Sequence, residues 1–220
     1  SFSSYGPALA GGGDLLKPDI TAPGVDVAAA YHQDWETGEP TFDQISGTSM
    51  STPHIAGLAA LMKQKNPTWS PMAVKSAMMT TARTTDDAGD PIARGSREAT
   101  PFDFGAGEVI PAASYNAGLV YDSDWDDWLA YACAIGQLAS PCPETPTDPS
   151  DLNYPSIAVG SLAGQQTVTR TVTNVGRTPM AYTAQVQAPA GTTVSVNPSR
   201  INIRPGRTAT FTVTITHTTA

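Results

Sequence analysis

The sequence predicts a layered α/β domain followed by an antiparallel β-sandwich, and three observations carry that prediction. Residues 49–82 hold two stretches of helical periodicity close to strand-like runs at Ile20 and Val25–Tyr31. Near the other end, Phe211, Val213 and Ile215 alternate with Thr210, Thr212, Thr214 and Thr216, the pattern of a strand with one buried and one solvated face. Between them lies Ser140–Pro149, where proline and turn residues forbid regular structure.

Taken in order, Ala22-Pro23-Gly24 breaks the first strand region before Val25–Tyr31. From Ser49 to Lys65, Ile55, Leu58, Ala59, Leu61 and Met62 recur at helical spacing, and Asn66-Pro67 ends the run. Ser70 then reads as an N-cap, with Pro71 at the first helical position and Trp69 placed to staple against Val74; this second helix is expected to reach about Ala82. A further helix is expected through Trp128–Ala134, capped by the acids before it. In the C-terminal part, Thr167–Val175 reads as a strand with Val168 and Val172 on one face. Met180–Ala188 and Thr193–Asn197 read as further strands. The expected organisation is residues 1–139, a linker over 140–150, and a sandwich over 151–220.

Charge divides at the same place. Residues 1–150 carry seven basic and nineteen acidic side chains, whereas residues 151–220 carry five arginines and Asp151. The overall formal charge of -8 argues against a general phosphate-backbone binder, so no nucleic-acid partner is expected. No run approaches the roughly 20 apolar residues of a membrane span. The opening Ser1-Phe2-Ser3-Ser4 is not a basic-then-apolar leader, so processing or an interior piece of a longer chain is expected.

The informative string is Ser46-Gly47-Thr48-Ser49-Met50-Ser51-Thr52-Pro53-His54-Ile55-Ala56-Gly57. A glycine turn delivers Ser49 to the start of a helix, where unpaired N–H groups and positive potential collect. A serine there can attack a carbonyl while its own backbone N–H helps hold the oxyanion, with Gly47 and Thr48 shaping the turn. An isolated serine in this place is more often only an N-cap. The G-x-S-x-G elbow of α/β-hydrolases does not fit, because Ser51 stands where its second glycine is required.

These residues resemble the nucleophile motif of the subtilisin-like serine proteases, G-T-S-M-[AS]-x-P-H-[VI]-A-G. Phe2-Ser3-Ser4-Tyr5-Gly6-Pro7 and Lys17-Pro18-Asp19-Ile20-Thr21-Ala22-Pro23-Gly24 resemble two further strings of that family, in the correct order. Phe104-Gly105-Ala106-Gly107, Asn116–Asp122, Asp151–Ile157 and Arg170–Gly176 resemble its cucumisin-type, plant-like branch, in which a fibronectin type III-like sandwich follows the protease. The resemblance implies a secreted, extracellular serine endopeptidase acting on polypeptide substrates, with Ser49 as nucleophile and neither cofactor nor metal in the chemistry. Ser49 is expected at the N-terminus of a buried helix, its amide free of intrahelical partners.

A subtilisin-like triad runs along the chain in the order Asp, His, Ser. In the family the Asp and His lie in D-[ST]-G and H-G-[TS] strings, and neither string is present here. His54 cannot substitute: five residues along one helix is a rotation of about 140° and a rise of roughly 7.5 Å. His32 sits in what reads as a strand exit. The resemblance therefore implies a partner, the upstream portion of the same protease, that supplies Asp and His. The sandwich is also short, since seven strands take roughly 100 residues, so a fragment trimmed at both ends is expected. A non-catalytic interaction module is the alternative reading.

Cys133 and Cys142 lack metal-site and C-x-x-C spacing. They are either free thiols or, in a secreted protein, a disulfide closing a small loop, which is the preferred expectation. Asp122–Trp128 begins like a calcium loop, but Asp127 stands where glycine is needed and Cys133 where glutamate is needed. Helix-capping acids are the plainer account.

Overall fold

The computed structural model describes residues 2–144 and 147–218. The chain begins with a loop region that contains a short 3-10 turn at Ala10–Gly13 and leads into an antiparallel hairpin, β1 (Val27–Gln33) and β2 (Pro40–Ile45), with Val27 opposite Ile45. Helices α1 (Thr48–Lys65) and α2 (Pro71–Thr80) follow, then a small ribbon of β3 (Ala93–Arg94) and β4 (Arg97–Glu98). Two short proline-initiated helices, α3 (Pro101–Phe104) and α4 (Pro111–Tyr115), lead to β5 (Leu119–Tyr121) and α5 (Trp125–Ala134). The C-terminal part supplies β6 (Gln165–Asn174), β7 (Met180–Thr183), β8 (Thr192–Asn197), β9 (Arg200–Ile203) and β10 (Thr208–His217). The result is a mixed α/β portion followed by an antiparallel β-domain.

Local chemistry accounts for the helix ends. Ser70 Oγ accepts the Ala73 amide at 2.8 Å, Pro71 occupies the first helical position, and Trp69 packs on the cluster that contains Val74. This helix stops at Thr80, two residues short of the expected end, where Thr81 Oγ1 donates to the Ala77 carbonyl at 2.7 Å. Helix α5 starts three residues earlier than expected, because Asp124 accepts from the amides of Asp126 and Asp127 while Asp127 reaches back to the Asp124 amide. The first strand begins at Val27 instead of Val25, since Asp26 has a φ of 52°. The strand expected over Met180–Ala188 stops at Thr183, and β9 pairs with it.

One cluster joins α1, α2 and β5: Leu58, Met62, Ala73, Val74, Ala77, Met78, Val109, Ala117 and Val120. A second joins Leu15, Met79 and Tyr131 to Leu152 and Tyr154. The four-stranded sheet runs in the order β5-β6-β10-β8, with Val168 and Val172 buried and the threonines Thr167 and Thr171 paired on the outer face with Thr214 and Thr210. Its edge strand β5 comes from before the proline-rich segment, and pairs Leu119 with Asn174 and Tyr121 with Val172. Segment 140–150 thus separates the two parts in sequence but not in space.

Helix α1 departs from the buried helix expected of it. Only Leu58 and Met62 are buried, and Thr52, Pro53, Ala56, Gly57, Ala60 and Leu61 face solvent. Its packed side meets α2; among the described residues no element covers the other. Cys133 and Cys142 are joined by a disulfide at the end of α5. Among the described residues no helix is long and apolar enough to cross a membrane, and no group of three or more His, Cys, Asp or Glu could hold a metal.

Candidate active site

The turn before α1 is held from two sides. The Gly47 amide donates to the Gly24 carbonyl at 2.8 Å, and Ser46 Oγ accepts the Asp26 amide at 2.8 Å while lying 3.1 Å from Asp26 Oδ1. Gly24 must be glycine here: a Cβ would collide with Ser51 Oγ and lie 2.8 Å from the Gly47 carbonyl. Thus Ala22-Pro23-Gly24 and the serine turn are one packed unit. Asp26, in the left-handed region, fixes the same corner through Ser46 and through its carbonyl, which accepts from Gln44 Nε2 at 3.0 Å.

Gly47 is the N-cap and Thr48 the first helical residue, which puts Ser49 second. Ser49 is exposed, and its amide precedes the first amide of the helix that finds a carbonyl, Met50 to Gly47 at 3.0 Å. Pro53 removes the amide that would have met the Ser49 carbonyl. Both backbone groups of Ser49 are therefore left out of the helical ladder, one by position and one by proline. Ser49 thus stands at the helix N-terminus as expected, after Gly47 and Thr48, although the helix is not the buried one expected. Cys133 and Cys142 belong to another element.

His54 and His32 make their hydrogen bonds elsewhere. His54 Nδ1 donates to the Met50 carbonyl at 2.8 Å, one turn back along α1, which orients the ring against its own helix. His32 lies exposed on β1, with Nδ1 2.9 Å from the Gln33 carbonyl and its ring 4.6 Å from Tyr31. Among the described residues neither histidine forms a hydrogen bond with Ser49.

Beside this turn opens a groove of about 1040 Å³ whose lining includes Ile20, Ala22, Gly24, Thr48, Ser51 and Ile55. Its far wall contains Arg94 and Asp103. The Asp103 side chain, 6% exposed, accepts from Arg97 Nη1 and Nη2 at 2.8 Å, from the Thr100 amide at 2.8 Å and from Arg94 at 3.1 Å. The Arg97 hydrogen bonds, then the Thr100 amide, hold this carboxyl well below the ordinary carboxylate range. Arg94 also donates to the Ser3 carbonyl at 3.0 Å, anchoring the first segment to the wall. The positions of Asp26 and Pro53 were not singled out from sequence. The proline inside a helical pattern is a legible signal, whereas nothing in the local sequence marks the left-handed turn at Asp26.

Fold and site together define a serine-bearing α/β portion fused to an antiparallel β-domain. Residues 1–107 match the subtilase family and residues 151–220 match a fibronectin type-III domain. The chain is 44% identical over 226 residues to subtilisin-like protease SBT2.5 of Arabidopsis thaliana, covering 92% of this chain and 28% of that one. It is 45% identical over 233 residues to SBT5.3 of the same plant, covering 97% and 30%. Fervidolysin from Fervidobacterium pennivorans, a keratinolytic enzyme related to subtilisin, aligns with 45% of this chain and 16% of its own at 25% identity and a TM-score of 0.32. The chain belongs to the subtilase family: it carries the C-terminal portion of the catalytic domain, followed by a fibronectin type-III-like domain. It spans less than a third of the length of these plant relatives.

Proposed function

We propose that this chain is the nucleophile-bearing portion of a secreted serine endopeptidase. Ser49 Oγ forms a bond to a peptide carbonyl carbon, the C–N bond breaks, and the amine leaves with a proton. Water then attacks the resulting ester and frees both the acid and Ser49. The Ser49 amide donates to the oxyanion in both steps. The base that takes the Ser49 proton, and the Asp that orients it, come from the upstream portion of the same protease. The chemistry needs no cofactor or metal.

The observation that carries this reading is the exposed Ser49 at the second position of α1, on a turn pinned by the Gly47–Gly24 hydrogen bond. In functional terms, residues 1–139 form the protease portion, 140–150 the linker and 151–220 the β-domain. The Cys133–Cys142 disulfide supports an oxidising, extracellular setting.

A fluorophosphonate probe tests the reading. Ser49 should stay unlabelled in the isolated chain and become labelled when a separately expressed upstream fragment is added. Labelling of the isolated chain would show a base already in place. No labelling in the mixture, with the two fragments shown to associate, would leave the chain as an interaction module.

A further inference from the structure

The proposed chemistry makes no use of the half-buried charged cluster around the buried Tyr154, at the junction of the two parts. Tyr154, 1% exposed, lies on the C-terminal side of the linker, and its hydroxyl donates to Asp19 Oδ1. The same carboxylate accepts Lys17 Nζ at 2.7 Å and Lys75 Nζ at 2.6 Å. Both ammoniums also face the tyrosine ring, Lys75 at 4.9 Å and Lys17 at 5.6 Å from its centroid, and Trp128 packs edge-on against it at 6.3 Å. Behind Tyr154, its carbonyl accepts Arg170 Nε at 2.8 Å, from a β6 residue only 2% exposed.

Such a cluster is a poor way to gain stability alone, because desolvating the charges offsets much of their attraction. What it does provide is position: one carboxylate is fixed by three donors from three different segments. Burial by itself would raise the Asp19 carboxyl, yet the Lys75 charge and the hydrogen bonds from Lys17, Lys75 and Tyr154 carry it below the ordinary value. Asp19 in turn begins the strip that ends at the serine turn. Its carbonyl accepts the Ala106 amide at 2.9 Å, Thr21 exchanges backbone hydrogen bonds with Gly107 and Val109 at 2.8 and 2.9 Å, and Gly24 holds Gly47.

We propose that Tyr154 is a positioning residue, through which the β-domain holds the Asp19–Gly24 strip and hence the Ser49 turn. The link runs from Arg170 to the Tyr154 backbone, from its hydroxyl to Asp19, and along the strip to Gly47. It gives the C-terminal domain a mechanical hold on the nucleophile without touching substrate. This deepens the protease reading and rests on it for its catalytic meaning, but the contact itself can be tested without catalysis.

Amide hydrogen exchange on the whole 220-residue chain reads it directly. In Tyr154→Phe, which keeps the ring, the Thr21 and Gly47 amides should exchange about tenfold faster, while those of Val213 and Ile215 in β10 stay unchanged; this corresponds to about 1.4 kcal/mol of local opening. Asp19→Asn should act on the same amides. Unchanged exchange at Gly47 in both variants overturns the proposal, and so does uniform acceleration that includes β10, which would show only global destabilisation. In the fragment mixture, Tyr154→Phe should slow fluorophosphonate labelling of Ser49 about tenfold at unchanged fragment affinity. Faster exchange at Gly47 with an unlabelled wild-type mixture keeps the positioning contact and sinks the nucleophile assignment alone.

Discussion

Asn174 ends β6 with no exposed surface, and its side chain is fully used. Nδ2 donates to the Thr178 carbonyl at 2.9 Å and to the Ile203 carbonyl at 2.8 Å, while Oδ1 accepts the Gly176 amide at 2.8 Å. Asn174→Ala removes all three bonds, leaving the buried Ile203 carbonyl and the part-buried Gly176 amide and Thr178 carbonyl without it. Each unmet group costs about 1–3 kcal/mol, but the losses are not additive and water can enter the space left by the amide. About 3 kcal/mol is expected in total. Asn174→Asp should be worse at neutral pH, since a carboxylate would then face two carbonyl oxygens in a dry site. Its defect should shrink near pH 4, where a protonated carboxyl can donate to one of them. Urea unfolding followed by circular dichroism measures both variants. With a slope near 2 kcal/mol per molar, Asn174→Ala should lower the midpoint by about 1.5 M. A shift under about 0.3 M, or an Asp variant more stable than the Ala variant at pH 7, would refute the reading that this amide clamps the turn between β6 and β7 to the end of β9.

Four further outcomes are expected. Ser76, fully buried on α2, accepts the Tyr121 amide of β5 at 2.8 Å, so Ser76→Ala should cost about 1–2 kcal/mol in thermal or urea unfolding. The folded carboxyls of Asp19 and Asp103 lie below their ordinary values, so the unfolded chain binds more protons as pH falls through about 4. Stability should therefore be full above that pH and decline below it, with a shallower acid slope in Asp19→Asn. Gly24→Ala should leave the far β-domain folded by circular dichroism yet abolish Ser49 labelling in the fragment mixture, because the new Cβ displaces Gly47. Finally, the isolated chain should not hydrolyse casein or peptide esters; hydrolysis abolished by Ser49→Ala would show that a base had been overlooked.

Features written in local chemistry were legible in the sequence. Ser70 and Pro71 specify the start of α2 within four residues, and the turn at Gly47 followed by helical periodicity places Ser49 at the start of α1. Features set by distant partners were not. Arg200–Ile203 is a four-residue strand between Pro198 and Pro205, and its pairing with β7 decides its state more than its composition does. β5 has only three residues and finds its partner beyond the proline-rich segment, so no window of sequence announces it. The exposure of α1 was missed for a related reason: periodicity shows which face prefers burial, not whether anything covers the opposite one. The Tyr154–Asp19 contact joins residues 135 apart, beyond any local pattern.

The pairing of β5 with β6 changes what a broken backbone would mean for this molecule. A protease that cut between Cys142 and Asp148 would sever the peptide chain, but both pieces would still share one sheet through Leu119–Tyr121 and Val172–Asn174. The Asn153 side chain spans the same seam, donating to the carbonyls of Asp122 and Thr171 at 2.7 and 2.9 Å. A cut between Cys133 and Cys142 would be tied twice, by the sheet and by the disulfide. A nicked sample should therefore run as two bands under reducing, denaturing conditions and as one species in native gel filtration. The same seam makes 143–147 a natural place to split the gene and let the halves find each other again.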